Sequence, residues 1–144
     1  VYLATPADAA PMLFSGDVLF SAGCGRLKDG TAEQLHDSLQ RLKKLPSNTQ
    51  LYCGHEYTLA NLRFALSVEP GNQDTQEHFD RCTKLSIDGQ MTLPSSIELE
   101  MLINPFLRTH LPNVIGACRS KFGKTPQNSI ECFAALRKWK DNFA

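Results

Sequence analysis

The feature that most constrains this chain is one strongly marked helix set between two short apolar runs. Thr31 and Gln34 stand three residues apart, the spacing at which two side chains satisfy each other's backbone N–H at a helix start. Ala32, Leu35, Leu39 and Leu42 then form a one-sided apolar stripe down to Leu45, and Pro46 closes the element. Ahead of it, residues 1–20 read as two extended segments around a turn at Thr5 to Pro11, the second running from Met12 into Gly16 and Asp17. Behind it, residues 49–53 (TQLYC) are rich in strand-favouring types and end at Gly54 and His55. A second helix carries Leu59, Leu62 and Leu66 on one face and stops before Pro70 and Gly71. Strand, helix, strand, helix is the order of an α/β unit.

From Asp74 onward the character changes. Phe79, Cys82 and Leu85 space as a helix, a short helix is expected near Ile97 to Leu102, and a last one from Asn128 to Phe143. The stretch between Arg108 and Pro126 has little pattern, and the glycines at 23, 25 and 30 read as a loop. A boundary therefore falls near residues 70–73, with residues 1–71 as part of an α/β domain and residues 72–144 as an all-helical domain.

Composition narrows the function classes. At 144 residues the chain can bury a core of its own, and no apolar run approaches the roughly 20 residues of a membrane span, so no membrane role is expected. The amino terminus has neither a basic start nor an apolar stretch and reads as a cut edge. Fifteen basic and fifteen acidic groups cancel, but seven basic against two acidic groups fall within residues 101–144. That excess suits a small anionic ligand and is too scattered for nucleic acid. Five cysteines with no C-x-x-C pair argue against a disulfide framework or a thiolate metal site, and a reducing cytoplasmic setting is the simplest reading.

Asp17 and His55 are the chemically suggestive residues, since each follows a glycine where an apolar strand stops. In α/β proteins ligands gather at the carboxyl ends of strands, and carboxylate with imidazole makes a metal-binding pair. On spacing alone, an Asp capping its turn and a hydrogen-bonded His are the favoured account of them.

The run FSGDVLFSAGCGR at residues 14–26, continued by TAEQL at 31–35, is similar to a signature of the glyoxalase II family. The run YCGHEYTLANLRFA at 52–65 resembles a second signature, with further matches at 68–70 (VEP), 104–108 (NPFLR) and 137–141 (RKWKD). This resemblance implies part of a metallo-β-lactamase αββα fold followed by a helical domain. It implies hydrolysis of S-(2-hydroxyacyl)glutathione at a site of two divalent metals, zinc with iron or manganese as alternatives, giving glutathione and a 2-hydroxy acid such as D-lactate. Asp17 then matches a metal-bridging aspartate and His55 a terminal metal ligand. Arg26, Tyr57, Arg137 and Lys140 match positions that bind the glutathione moiety.

The family's His-x-His-x-Asp-His cluster is not in this sequence, which implies a carboxy-terminal half that binds metal weakly or not at all, with little activity alone, and a missing amino-terminal half as its partner. At Lys28 the family often has an aromatic residue. Two further readings are a persulfide dioxygenase-like enzyme, and a non-catalytic fragment or interaction module. His36, His78 and His110 are expected to have surface or packing roles, and Cys24 and Cys53 to be small buried thiols near the site.

Overall fold

The computed structural model describes residues 1–144. Strands β1 (Tyr2–Ala4) and β2 (Met12–Gly16) lead into a tight hairpin, β3 (Leu19–Phe20) and β4 (Gly23–Cys24). Then follow helix α1 (Ala32–Lys43), strand β5 (Gln50–Cys53) and helices α2 (Thr58–Val68) and α3 (Gln73–Ile87). The chain closes with β6 (Ser95–Ser96), α4 (Ile97–Ile103), a 3-10 turn (Pro105–Leu107), α5 (Pro112–Phe122) and α6 (Ser129–Asp141). An α/β region followed by helices is the fold class the sequence implies.

The main sheet has the order β1-β2-β5-β6. Strands β2 and β5 pair in parallel, with α1 as the crossover between them, while β1 and β6 add antiparallel edges. The start of α1 forms as the spacing requires: Gln34 N–H donates to Thr31 Oγ1 at 3.2 Å, and Thr31 N–H donates to Gln34 Oε1 at 2.9 Å.

One face of the sheet is covered. Leu13 of β2 and Leu51 of β5 join Leu39, Phe64, Ile97, Phe106, Phe133 and Leu136 in one buried cluster, to which residues on both sides of position 71 contribute. Phe106 is its hub, stacked on Phe64 at 6.0 Å and meeting Phe133 edge-on at 5.7 Å. A smaller cluster of Ala22, Leu62, Cys82 and Ile103 fixes α3 and α4 beneath the β3–β4 turn. On the other face Tyr2, Phe14 and Tyr52 stand side by side, with Phe14 stacked on Tyr52 at 5.3 Å.

Three elements escaped the sequence reading, each for a physical reason. The β3–β4 hairpin lies inside the expected glycine loop, because two-residue strands leave no periodic pattern. Strand β6 is two serines, which pair through their backbone with Gln50 and Leu51. Helix α5 buries only Val114 and Cys118, too few for a stripe, and its real signals were the caps: Pro112 in the first turn and Gly123 at φ 71 at its end.

Phe106→Ala is expected to cost about 3–5 kcal/mol of unfolding free energy in urea titrations, since it empties the centre of the core. Ile87→Ala, at a site 79% exposed, should stay within about 0.5 kcal/mol of the parent.

Candidate active-site cleft

Asp17 lies just past β2 and His55 just past β5, so parallel pairing of those strands brings them to the same end of the sheet. His55 Nε2 stands 3.6 Å from Asp17 Oδ1, with both side chains at least half exposed. The approach depends on glycine. Gly54 N–H donates to Gly16 O at 2.8 Å, and a Cβ at Gly54 would lie 2.6 Å from Asp17 Oδ1. A Cβ at Gly25 would likewise collide with the Asp17 carbonyl. Carboxylate and imidazole converging on open space are a fitting donor pair for a divalent metal, and no third His, Cys, Asp or Glu joins them.

Beside this pair opens a cleft of about 550 Å³ lined by Asp17, Arg26, Lys28, Tyr57, Arg137 and Lys140 among others. Its volume lies within the range of small-molecule sites. The Tyr57 ring stacks on His55 at 4.9 Å and tilts against Phe20 at 5.2 Å, so it bridges the Asp17–His55 pair and the cleft. Tyr57 occupies the start of α2, where its side chain makes no cap, leaving the hydroxyl free.

The two cations of α6 both reach the cleft, as their three-residue spacing requires, but differ in state. Arg137 is only 4% exposed. Its Nη1 donates to the carbonyls of Cys24 and Gly25 at 3.0 and 3.3 Å, while Nε and Nη2 hold Asp141 at 3.0 and 2.8 Å. The guanidinium also lies 5.2 Å above the Phe106 ring. Arg137 thus fixes the Cys24–Gly25 backbone that presents Arg26. Lys140 Nζ sits over the rings of Phe64 and Phe143, with one long contact to Ala60 O at 3.5 Å. Burial, then the nearby charges of Arg137 and Arg26, hold its pKa below the usual lysine value. Cys24, buried at the cleft floor, has its thiol pushed up to about 12 by that burial, so it is no nucleophile. The expectation of a buried thiol is met at Cys24 but not at Cys53, which is half-buried.

Residues absent from the sequence reading support the loop from below. The Glu100 carboxylate, fully buried, accepts from Ser21 Oγ and Ser95 Oγ at 3.0 and 2.6 Å and from Ala22 N and Asn104 Nδ2 at 2.8 and 2.9 Å. Asn61 donates to Ser21 O, and Asn104 donates to Gly23 O. The one available signal was an acid and an amide four apart, Glu100 within α4 and Asn104 at its C-cap. Burial holds the Glu100 pKa above the ordinary carboxylate value, and the four hydrogen bonds draw it back.

The remaining histidines and a second cleft lie elsewhere. His36 packs edge-on to Phe133, His78 is buried against Cys82, and His110 is exposed. A cleft of about 680 Å³ between the α2–α3 junction and α5 surrounds Glu69 and Arg108, but these two already form a two-point ion pair at 2.8 and 2.9 Å. No helix is long and apolar enough to cross a membrane.

Residues 56–143 match the family model described as hydroxyacylglutathione hydrolase C-terminus. The chain is similar to a hydroxyacylglutathione hydrolase of Pseudomonas paraeruginosa, with 52% identity over 95% of this chain and 53% of the relative. It is also similar to those of Pseudomonas entomophila, with 51% identity over 96% and 54%, and Pseudomonas aeruginosa, with 51% identity over 96% and 53%. The chain thus spans about half the length of the curated relatives it matches.

Glu100→Gln is expected to stay within about 1 kcal/mol of the parent, because its oxygen can serve Ala22 and Asn104 while its NH₂ donates to the two serine hydroxyls. Glu100→Ala leaves those donors buried and unpaired and should cost about 3 kcal/mol or more in urea unfolding. Equal loss in the two variants would contradict this account.

Proposed function

Because the chain belongs to the hydroxyacylglutathione hydrolase family, we propose that it supplies the substrate-holding half of a metal-dependent hydrolase that splits S-(2-hydroxyacyl)glutathione thioesters. S-D-lactoylglutathione is the substrate, glutathione and D-lactate are the products, and the reaction belongs to methylglyoxal detoxification. The observation that carries this reading is the continuity of the cleft: Asp17 lies at one end of the same cavity that Arg26, Tyr57 and Lys140 line.

Asp17 and His55 are the chain's contribution to a site for two divalent metals, zinc or, with the same donor types, iron or manganese. Metals bound there lower the pKa of water towards neutrality and polarise a carbonyl. The chain's own side chains orient the substrate. Arg26 and Lys140 pair with its carboxylates, the Tyr57 hydroxyl donates to its peptide backbone, and Arg137 holds the wall from which Arg26 projects. The thioester carbonyl is thereby presented to the Asp17–His55 end. Within this scheme residues 1–71 belong to the metal-binding domain and residues 72–144 form the glutathione-binding domain. Five unpaired thiols suit a reducing, cytoplasmic setting.

The exposed aromatic row of Tyr2, Phe14 and Tyr52 supports a partner, namely a polypeptide equivalent to the part of the relatives that this chain does not span. A sheet with a parallel pair at its centre is usually covered on both faces, and here one face is bare.

With two converging donors, the purified chain is expected to hold metal weakly and to hydrolyse S-D-lactoylglutathione slowly or not at all. Mixed with the missing half of a Pseudomonas relative, it should co-elute on size exclusion and gain metal and turnover. Asp17→Asn in that complex should lower kcat at least 100-fold. Turnover that survives Asp17→Asn would remove the metal assignment.

A further inference from the structure

Two of the five thiols face each other. Cys118 of α5 and Cys132 of α6 bring their sulfurs to 3.9 Å, and both side chains are fully buried in the main core cluster. No other cysteine meets a second sulfur: Cys24 lies against Arg137, Cys82 against His78 at 3.4 Å, and Cys53 Sγ against His55 O at 3.4 Å. A disulfide bond is about 2.0 Å long, so this is the one pair in the chain that a small side-chain movement can close. The hydrogen bond between the sulfurs holds the Cys118 thiol below its ordinary pKa and the Cys132 thiol above it, so Cys118 is the first to become a thiolate. Full burial shields both sulfurs, but the element that covers them is lightly held. Helix α5 fully buries only Val114 and Cys118, and residues 119–125, its end and the loop beyond, are all exposed. Such a segment opens locally at far lower cost than the sheet and its core.

We propose that Cys118 and Cys132 form a reversible dithiol modification site, which low-molecular-weight disulfides oxidise to an internal disulfide through local opening of α5. The Cys118 thiolate attacks one sulfur of the oxidant, forming a mixed disulfide and releasing one thiolate, which takes up a proton. Cys132 then loses its proton and attacks the Cys118 sulfur, closing the protein disulfide and releasing the second oxidant thiol. Two protein thiols thus give up two electrons and two protons, and one small disulfide becomes two thiols. The bond joins residues 14 apart and closes a loop around the exposed α5–α6 connection, so it suppresses the opening that admitted the oxidant. It also pins the start of α6, the helix that carries Arg137 and Lys140. The reduced pair is the resting state of a chain with five free cysteines, and an excess of small thiol restores it.

The test treats the native full chain, carrying Cys53→Ser to remove the half-buried thiol, with 2-hydroxyethyl disulfide, then alkylates what remains free. Two of the four remaining thiols should be lost, and a tryptic map should show residues 109–119 linked to residues 125–137 by a bond that dithiothreitol breaks. Under native conditions trypsin should cut after Lys121 and Lys124 about five-fold more slowly in the oxidised chain, and dithiothreitol should restore the faster rate. Adding Cys132→Ser should stop the reaction at a mixed disulfide on Cys118. Four intact thiols in the native chain, under conditions that oxidise the urea-unfolded chain, would overturn the proposal. So would a link that involves Cys24 or Cys82. The map of the unsubstituted pair decides between these outcomes whether or not the serine variant at Cys132 folds.

Discussion

A carboxylate buried beneath the turn at Ser21 and Ala22 is the constraint on which the rest of the molecule depends. Glu100 has no cation beside it, and an unpaired buried charge costs several kcal/mol unless hydrogen bonds replace its water. Two of its donors come from the hairpin turn, one from β6 and one from the end of its own helix, so the cost is offset only when all three regions meet. Ala22 adds to that demand. At φ 56 it lies in the left-handed region, about 1–2 kcal/mol uphill for a residue with a Cβ, and the bond from its N–H to Glu100 holds it there. The turn is therefore fixed by a residue 78 positions later in the chain.

The same loop is gripped from its other end by a buried cation. Arg137 holds the carbonyls of Cys24 and Gly25 while Glu100 holds the N–H of Ala22, so a buried charged side chain anchors the segment at each end. The two charges do not pair with each other; each is satisfied locally, Arg137 by Asp141 and backbone carbonyls. This arrangement suits a rigid cleft wall. Charges buried in the scaffold fix the backbone, and charges left on its rim remain available to a ligand.

The sequence carried the α/β frame because its signals were local. The capping box at Thr31 and Gln34, the stripe from Ala32 to Leu42 and the glycine-then-polar endings at Asp17 and His55 each depend on near neighbours, and each stands where it was expected. What it did not carry were elements defined by distant partners. Ser95 and Ser96 have no strand propensity and pair only because Gln50 and Leu51 offer an edge. Glu100 reads as a helical acid that could as well face water, and only the hairpin, far off in sequence, makes it a buried anchor.

The cations of the cleft show the same limit at the level of single side chains. Helical spacing places Arg137 and Lys140 on one face, and both do line the cavity. Spacing says nothing of how each charge is used. Asp141, four residues past Arg137, and the Phe106 ring below it draw that guanidinium inward. Lys140 makes no ion pair, Asp141 acting on it only at longer range, and lies over Phe64 and Phe143 with its ammonium at the cleft. A lysine at that position therefore keeps its ammonium out of any ion pair, whereas an arginine three residues earlier gives its charge to the fold. Composition and periodicity cannot separate the two, because what differs is the location of one carboxylate and one aromatic ring in the folded chain.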